Sequence, residues 1–548
     1  MGRIWIVDNE PSQTYPIYTR GNVGEVFPEA VAPLSWTLGG IPSADPGWKD
    51  SLVRFGAFTP DEFEPDNLNP LGVFGGYCYL NVSIARIMAV RTPGLTPELM
   101  DQALFGASEA PPYRPLPTDE NEERTAAINQ TLGWILTVED LSELLDDQRE
   151  VDQYVADRPD LGALSLEALL AHARERMGLF RRLFARHLFI TNAATVPVGM
   201  IQGIATQALG DPTLPMRLCA GIGGVDSAAP SWALWDLSRI EDGAKFDQAF
   251  AEFLDTFGSR GPNEWEMSAP TWGTKPELAL LAVDRMRAAP DEAAPQRHFE
   301  ERAAEREALT AQVAEALAAN PEVQGQFLAA VRAAGIFLAG RERTKTTIIK
   351  LTHEARLAFG EIARRLMADG HLDRFEDFAM ITNDEYDDFL VDPAKYRDTI
   401  VERRRLFDRL QGLEPPFIID GVVPPIDEWV ERGSTPVEPA RPGEPLVGIP
   451  GCSGTYTGRA RVVLRPDDAQ GLEPGDVLVA PITDPAWTPL FVPAGAVVVD
   501  VGAQISHAVI VSRELGIPCV VSVTDGTRRI PDGATVTVDG TTGTVTVC

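Results

Sequence analysis

The apolar positions of this chain change rhythm along its length. Between Thr96 and Leu413 they recur at steps of three and four residues, as in ERTAAINQTLGWILTVEDLSELL, LSLEALLAHARERMGLFRRLFARHL and FEERAAEREALTAQVAEALAA. Leu164, Leu166, Leu169, Leu170 and His172 follow this period, which is that of one helix face, so the region is predicted to be mainly α-helical. The Ala/Glu/Arg-rich stretch Arg287–Ala319 suits a long solvated helix. Upstream, from Met1 to about Trp48, Pro, Gly and aromatic residues interrupt any period, and an extended arm that wraps a larger body is expected. From Glu414 to Pro450 prolines accumulate, among them Pro415, Pro416, Pro424, Pro425, Pro436, Pro439, Pro442 and Pro445. They exclude helix and favour a stiff connection. Beyond them come short β-branched runs (ARVVL, DVLVA, AVVVD, CVVSV, TVTVDG, TVTV) separated by Gly, Pro and Asp turns, the pattern of strands. There, one stretch reads as a helix, around His507–Leu515.

The resulting fold class is multidomain α+β. Its parts are an N-terminal arm and start of the helical domain (1–95), a mainly helical domain (96–413), a Pro-rich linker (414–445) and a C-terminal β/β/α domain (446–548).

Composition narrows the function. The chain has 548 residues, 44% of them hydrophobic, with 48 Lys+Arg against 80 Asp+Glu, a net charge of −32. A chain of this size buries several domains' worth of core. Its acidity, mostly in the helical part, repels phosphate backbones and anionic lipid, so neither nucleic acid nor a membrane surface is an expected partner. The cysteines, Cys78, Cys219, Cys452, Cys519 and Cys548, are odd in number and contain no CxxC pair, which argues against a disulfide framework and a structural zinc site. No signal peptide opens the chain and no run of about 18 apolar residues free of charge is expected to span a membrane. A cytoplasmic setting fits best.

The strongest chemical signal is VGAQISHAVIVSRELGIP, residues 501–518. A β run ends at Gly502-Ala503, a polar turn follows, and Ser506-His507 opens an amphipathic helix closed by Gly516 and Pro518. An imidazole at a helix N-terminus sits beside unpaired N–H groups and the positive end of the helix dipole, which favour a negatively charged adduct such as a phosphoryl group. The bland alternative is an ordinary histidine at a helix start.

These residues resemble the phosphohistidine domain of the phosphoenolpyruvate-utilising enzymes, the group of pyruvate phosphate dikinase, phosphoenolpyruvate synthase and rifampin phosphotransferase. The likeness continues across Gly458–Phe491 and the closing IPDGATVTVDGTTGTV, so it covers the whole C-terminal domain. It implies a swivelling domain with His507 as the phosphorylated residue, supported by Gly502, Ser506 and Arg513 and by a loop containing Thr483, Asp484 and Thr488. For Arg513 a surface ion pair is the alternative role. Ala503 replaces the second Gly of the motif, and Ile505 replaces a threonine that some dikinases phosphorylate for regulation, which excludes that control here.

In the helical part, YTRGNVGEVFPEAVAPLSW (Tyr18–Trp36), GSRGPNEWEMSAPTW (Gly258–Trp272) and RERTKTTIIK (Arg341–Lys350) resemble acceptor-domain motifs of rifampin phosphotransferase-like proteins. A phosphoryl acceptor site needs cations for the equatorial oxygens and a base near the attacking hydroxyl. Arg260, Arg341, Arg343 and Lys345 are candidates for the first role, and Glu264, Glu266 or His353 for the second. The leading set, Arg260, Glu264, Arg341 and Lys345, lies in short, turn-flanked motifs, with surface salt bridges as the alternative. Trp265, Trp272, Phe74, Tyr77 and Tyr79 line an apolar pocket or belong to the core. The Gly-rich Ala220–Pro230 offers a weak anion nest. His172, His187, His298 and His371 are expected to face solvent.

The resemblance thus implies a phosphotransferase that moves a phosphoryl group through phospho-His507 to a hydroxyl of a small organic molecule, an apolar one if the aromatic residues line its pocket. ATP or phosphoenolpyruvate is the expected donor, with Mg²⁺ at the nucleotide step. No Walker-type loop or ATP-grasp region is recognisable, so a separate ATP-grasp-type nucleotide-binding protein is the expected partner. Two other functions fit the same residues. One is a dehydratase that phosphorylates an alcohol and eliminates phosphate; the other is a non-enzymatic phosphocarrier or regulatory protein.

Overall fold

The computed structural model describes residues 4–105, 110–211, 213–223, 229–291, 294–434, 436–466, 471–483, 487–502 and 506–548. Three long helices organise the middle of the chain: α1 (Phe180–Leu209), α2 (Pro295–Ala316) and α3 (Pro321–Ala368). α3 runs for 48 residues, about 72 Å at the helical rise. It starts where the Asn320 side chain accepts from the Val323 N–H and Pro321 takes the first turn, which needs no amide proton. Its fully buried Phe327, Phe337 and Phe359 fall into three different apolar clusters, so this one helix ties the helical body together. α1 packs along it.

The first 48 residues are part of that body rather than an arm around it. Trp5, Tyr18 and Trp36 are essentially fully buried, and the Trp5 indole donates to the Val31 carbonyl at 2.9 Å. Strands β1 (Ile17–Thr19), β2 (Leu71–Phe74), β3 (Tyr77–Asn81) and β4 (Ile418–Asp420) form an antiparallel sheet in the order β2-β3-β1-β4. β1 is central, with Tyr18 opposite both Asn81 and Ile419. The start of the expected linker is therefore a strand of the helical body. The prolines at 415, 416, 424 and 425 flank this strand and leave its own amides free, and Ile419 supplies the side chain that the core buries. After Ser35 the chain makes a π-helical stretch, Trp36–Ala44, which no feature of the sequence announced.

Helix α1 also corrects the expectation about apolar runs. Residues 188–210 carry no charged side chain, and the stretches Leu166–Leu209 and Pro321–Ala368 are long and apolar enough to cross a membrane by length and composition alone. Here Thr, Asn and Gln interrupt the uncharged run, and the two stretches pack against each other.

The C-terminal part contains strands β5 (Pro445–Val447), β6 (Ile449–Cys452), β7 (Thr455–Val462), β8 (Val477–Ala480), β9 (Ala496–Val499), β10 (Cys519–Val521), β11 (Thr535–Asp539) and β12 (Thr544–Val547). They form one sheet in the order β5-β12-β11-β7-β8-β9-β10-β6. β7, β8, β9 and β10 run parallel to their neighbours in that series, and β8, β9 and β10 are buried at every position, as continuous apolar runs in a covered sheet require. Helix α4 (His507–Leu515) packs on the sheet. Two further single-turn helices, Thr488–Phe491 and Gly526–Arg529, occupy stretches expected to be turns. One apolar cluster joins the two parts: Trp235, Phe253, Trp272 and Val283 of the helical body pack with Leu490, Phe491, Val509 and Val521. The mixed helix-and-sheet architecture agrees with the α+β class.

Candidate active site

α4 begins where Ser506 is extended (φ −71°, ψ 164°) and ends where Gly516 turns left-handed (φ 69°), the conformation that favours glycine at a helix C-terminus. Its first residue is His507. The ring is held from both sides: Nδ1 lies 3.1 Å from the Thr483 hydroxyl and Nε2 lies 3.1 Å from the Thr488 hydroxyl. Phe491 meets it edge-on, with ring centroids 5.8 Å apart. Burial, then the positive charges of Lys345 and Arg260, hold the imidazole well below its ordinary pKa. The ring is therefore neutral at pH 7, with a lone pair available to a phosphoryl group. Gly502 is required where it stands, because a Cβ would lie 2.9 Å from Val521 Cβ. The Ser506 hydroxyl is buried beside the histidine without a hydrogen-bond partner among the described residues.

Two further expected supports differ. Arg513 lies six residues along the helix, and its Nε donates to the Gly451 carbonyl at 3.3 Å. It is not among the residues that line the cavity with His507. Asp484 lies outside the described residues, as do Ala503 and Ile505.

Opposite the imidazole is the helical body. Glu264 is 2% exposed and faces two cations, Arg260 Nε at 3.1 Å and Lys345 Nζ at 3.3 Å. The Arg260 Nη1 also donates to Thr346 at 3.2 Å. Arg341 pairs with Glu342 at 2.9 Å. Arg341 and Lys345 are one turn apart on α3, so they are not in a short turn-flanked motif but in the middle of a continuous helix, whose period puts them on one face. Gly258–Trp272, by contrast, is a loop fastened from behind: the buried Arg356 guanidinium donates to the carbonyls of Glu264 (2.7 Å) and Glu266 (2.9 Å). Burial lowers the Arg356 pKa to about 10, which leaves it cationic at neutral pH. Sequence reasoning missed this residue.

The other candidates do structural work. Glu266 accepts from the Ala32 N–H at 3.2 Å and the Ser35 hydroxyl at 2.5 Å, which anchors the chain entering the π-helical stretch. His353 is buried against Thr271 and the backbone of Gly273. Arg343 does not line the cavity.

Between these walls lies a cavity of about 190 Å³ whose lining includes His507, Thr483, Glu264, Arg341 and Lys345. Aromatic and aliphatic residues make up much of the rest, together with polar ones such as Glu25 and Asn263. Trp265 lines it, whereas Trp272, Phe74, Tyr77 and Tyr79 are core. Trp36, Trp48, Phe180 and Phe184 complete the wall and were not foreseen. Phe180, Phe184, His187 and Thr191 do follow steps of three and four in the sequence, so their common face was available to a periodicity argument, although its destination was not. His172 and His187 are buried rather than solvent-facing, because the helices that carry them are internal. Of the glycine-rich nest, residues 224–228 lie outside the described residues. The carbonyl of Gly221 is taken by the Arg306 guanidinium.

At the contact between the two parts, Glu514 of α4 is half-buried, and desolvation raises its pKa to about 7 against the pull of Arg306 and Arg513.

A helix-start histidine on a β-rich domain, docked against cations and an apolar cavity, matches a known class. Residues 472–543 match the PEP-utilising enzyme mobile domain, and residues 237–342 match the rifampicin phosphotransferase fourth domain. Among relatives, rifampicin phosphotransferase of Streptomyces sviceus is 31% identical over 317 residues, 57% of this chain and 36% of that protein. Prodigiosin synthesizing transferase PigC of Serratia marcescens is 30% identical over 314 residues, 56% of this chain and 34% of that protein. An uncharacterized protein of Mycobacterium tuberculosis is 27% identical over 568 residues, 97% of this chain. The chain spans 62% of that relative's length. The chain thus carries a PEP-utilising mobile domain and resembles the rifampicin phosphotransferases over its C-terminal part.

Proposed function

We propose that this protein transfers a phosphoryl group from phospho-His507 to a hydroxyl of a small, largely apolar molecule bound in the cavity. The observation that carries the proposal is that His507, two cations and a carboxylate line one cavity together with Trp36, Trp48, Phe180, Phe184 and Trp265. In the transfer, the P–N bond to the imidazole breaks and a P–O bond to the acceptor forms. Arg260, Lys345 and Arg341 balance charge on the equatorial oxygens. We assign the acceptor's proton to Glu264. Thr483 and Thr488 keep the imidazole oriented as it leaves.

Loading of His507 belongs to a different position of the domain, since the docked ring is enclosed by the helical body. We assign the loading to a separate ATP-grasp-type protein using ATP or phosphoenolpyruvate. Mg²⁺ belongs to that step: Glu264 is already compensated by two cations, a donor set unsuited to a divalent ion. Cytoplasmic operation is supported by the five unpaired cysteines.

The test is intact mass and acid-labile phosphate on the protein and on His507→Ala, with Mg²⁺ and either donor, with and without a candidate loading protein. An adduct of about 80 Da, one phosphoryl group, is expected on the parent protein and not on the variant. Its absence under every condition refutes the proposal. Acceptor products then separate the chemistries: a stable ester marks transfer, whereas free phosphate with an alkene marks elimination.

A further inference from the structure

Among the described residues, four that are not glycine adopt the left-handed backbone: Asn22, Asn263, Ser522 and Asp525. Asn22 and Asn263 line the cavity. The other two lie in one short turn between β10 and the single-turn helix Gly526–Arg529. Asn and Asp tolerate this conformation because their side chains bond locally, but serine does not share that preference. Ser522 nevertheless stands at φ 55°. Strain of this kind persists only where the surroundings hold it, and it concentrates at functional sites.

What this turn holds is the chain that leads to His507. The Ser522 hydroxyl donates to the Gly502 carbonyl at 2.5 Å. Two residues before Gly502, the Asp500 carboxylate accepts from the Thr527 N–H at 2.7 Å and from the Thr527 hydroxyl. The chain leaving β9 is thus gripped at Asp500 and at Gly502. Gly502 in turn stands against the start of α4, because a Cβ on it would lie 3.2 Å from Ser506 Oγ. Ser506 directly precedes His507, and its carbonyl accepts from the Ile510 N–H at 3.0 Å. Ser522 itself is half-buried and is not among the residues that line the cavity, so its influence on the ring runs through Gly502 and Ser506.

Resting on the reading of His507 as the phosphorylated residue, we propose that Ser522 is a positioning residue for that histidine. Its left-handed backbone aims the hydroxyl at Gly502, and this bond fixes the start of α4 so that the ring meets Thr483, Thr488 and the incoming phosphoryl group.

The test uses the whole protein. Ser522→Gly removes the hydroxyl and also relieves the backbone, two changes of opposite sign for folding, so the urea midpoint should stay level or rise. Ser522→Asn keeps a donor on a residue that tolerates the left-handed backbone. One readout is exchange of the Ile510 amide by NMR on the unphosphorylated protein, which does not depend on His507 chemistry. The other is the rate at which phosphoramidate, a small donor that needs no loading protein, phosphorylates His507: its P–N bond breaks, ammonia leaves, and a new P–N bond forms at the imidazole, followed as acid-labile phosphate. In Ser522→Gly, exchange should quicken and phosphorylation should slow, each by about fivefold, the loss of one hydrogen bond, and Ser522→Asn should recover part of both. Unchanged exchange at Ile510, or phosphorylation at the parent rate in Ser522→Gly, would overturn the proposal. So would a fall in urea midpoint that accounts for both losses, since the residue would then be merely structural. Should the parent protein take no phosphoryl group from phosphoramidate, ATP or phosphoenolpyruvate, the phosphotransfer reading falls alone, and exchange at Ile510 still decides whether Ser522 fixes the helix start.

Discussion

Replacing Glu264 by Gln removes the charge between Arg260 and Lys345 and leaves the first of these buried. Arg260 is 3% exposed and Glu264 2%, with Lys345 at 21%. At separations of 3.1 and 3.3 Å, and at the effective dielectric that describes protein sites, each pair attracts by about 5 kcal/mol. Desolvation offsets most of this. The contacts also lack hydrogen-bond alignment, since both Glu264 oxygens and Arg260 Nε have no well-oriented partner. The lower part of the range for breaking a buried pair, about 3 kcal/mol, is therefore the expected loss of stability. Urea unfolding followed by far-ultraviolet circular dichroism and tryptophan fluorescence measures it, and coincident transitions establish whether one free energy describes the helical body. A cycle with Arg260→Gln isolates the pair, for which a coupling of at least about 1 kcal/mol is expected. A change below about 0.5 kcal/mol in Glu264→Gln, the size of an exposed pair, would refute the reasoning, because it would mean that water screens this end of the cavity.

Three further outcomes are expected. Replacing Thr483 or Thr488 by Val keeps the shape but removes one of the two hydrogen bonds to His507, so each should slow phosphorylation of the histidine by about fivefold, roughly 1 kcal/mol, in a quench assay of acid-labile phosphate. At Gly40 a Cβ would lie 2.4 Å from the Trp36 ring, so Gly40→Ala should displace that wall, cost about 1–3 kcal/mol and impair acceptor turnover while phosphorylation of His507 proceeds unchanged. Docking of the C-terminal domain should also respond to pH. Docked His507 resists the proton it binds at its ordinary 6.5, so docking weakens as pH falls below that value. Docked Glu514 instead holds its proton up to about 7 rather than the ordinary 4.5, so its contribution is lost as pH rises through that window. Arg260 and Lys345 are the charged groups facing His507, and Arg306 and Arg513 those facing Glu514. The two effects oppose each other just below 6.5, and Glu514→Gln should uncover a fall of about tenfold per pH unit there, read as interdomain energy transfer between attached dyes.

Much of this molecule was legible before folding. The dipeptide Ser506-His507 after a β run, with Gly516 and Pro518 beyond, specifies a helix start by local chemistry alone, and the apolar strands of the C-terminal sheet declare themselves by composition. The same holds for the helical period of the middle region. What local pattern could not carry was destination. Residues 418–420, Ile-Ile-Asp, read as part of a connection because of the prolines around them, while their role as a strand depends on Ile17–Thr19, some 400 residues away. Arg341 and Lys345 announce cations, but only the packing of α3 against the Gly258–Trp272 loop sets Lys345 beside Glu264 and both cations in the cavity lining with His507. His187 shows the limit most clearly: its hydrogen-bond partner is a threonine 157 residues later, and its burial comes from helix packing that no neighbour in sequence supplies. Local sequence determined which elements form, through short-range sterics and hydrogen bonding; which groups share a desolvated site was decided by long-range packing, where the energetics of charge and lone pairs depend on everything that excludes water around them.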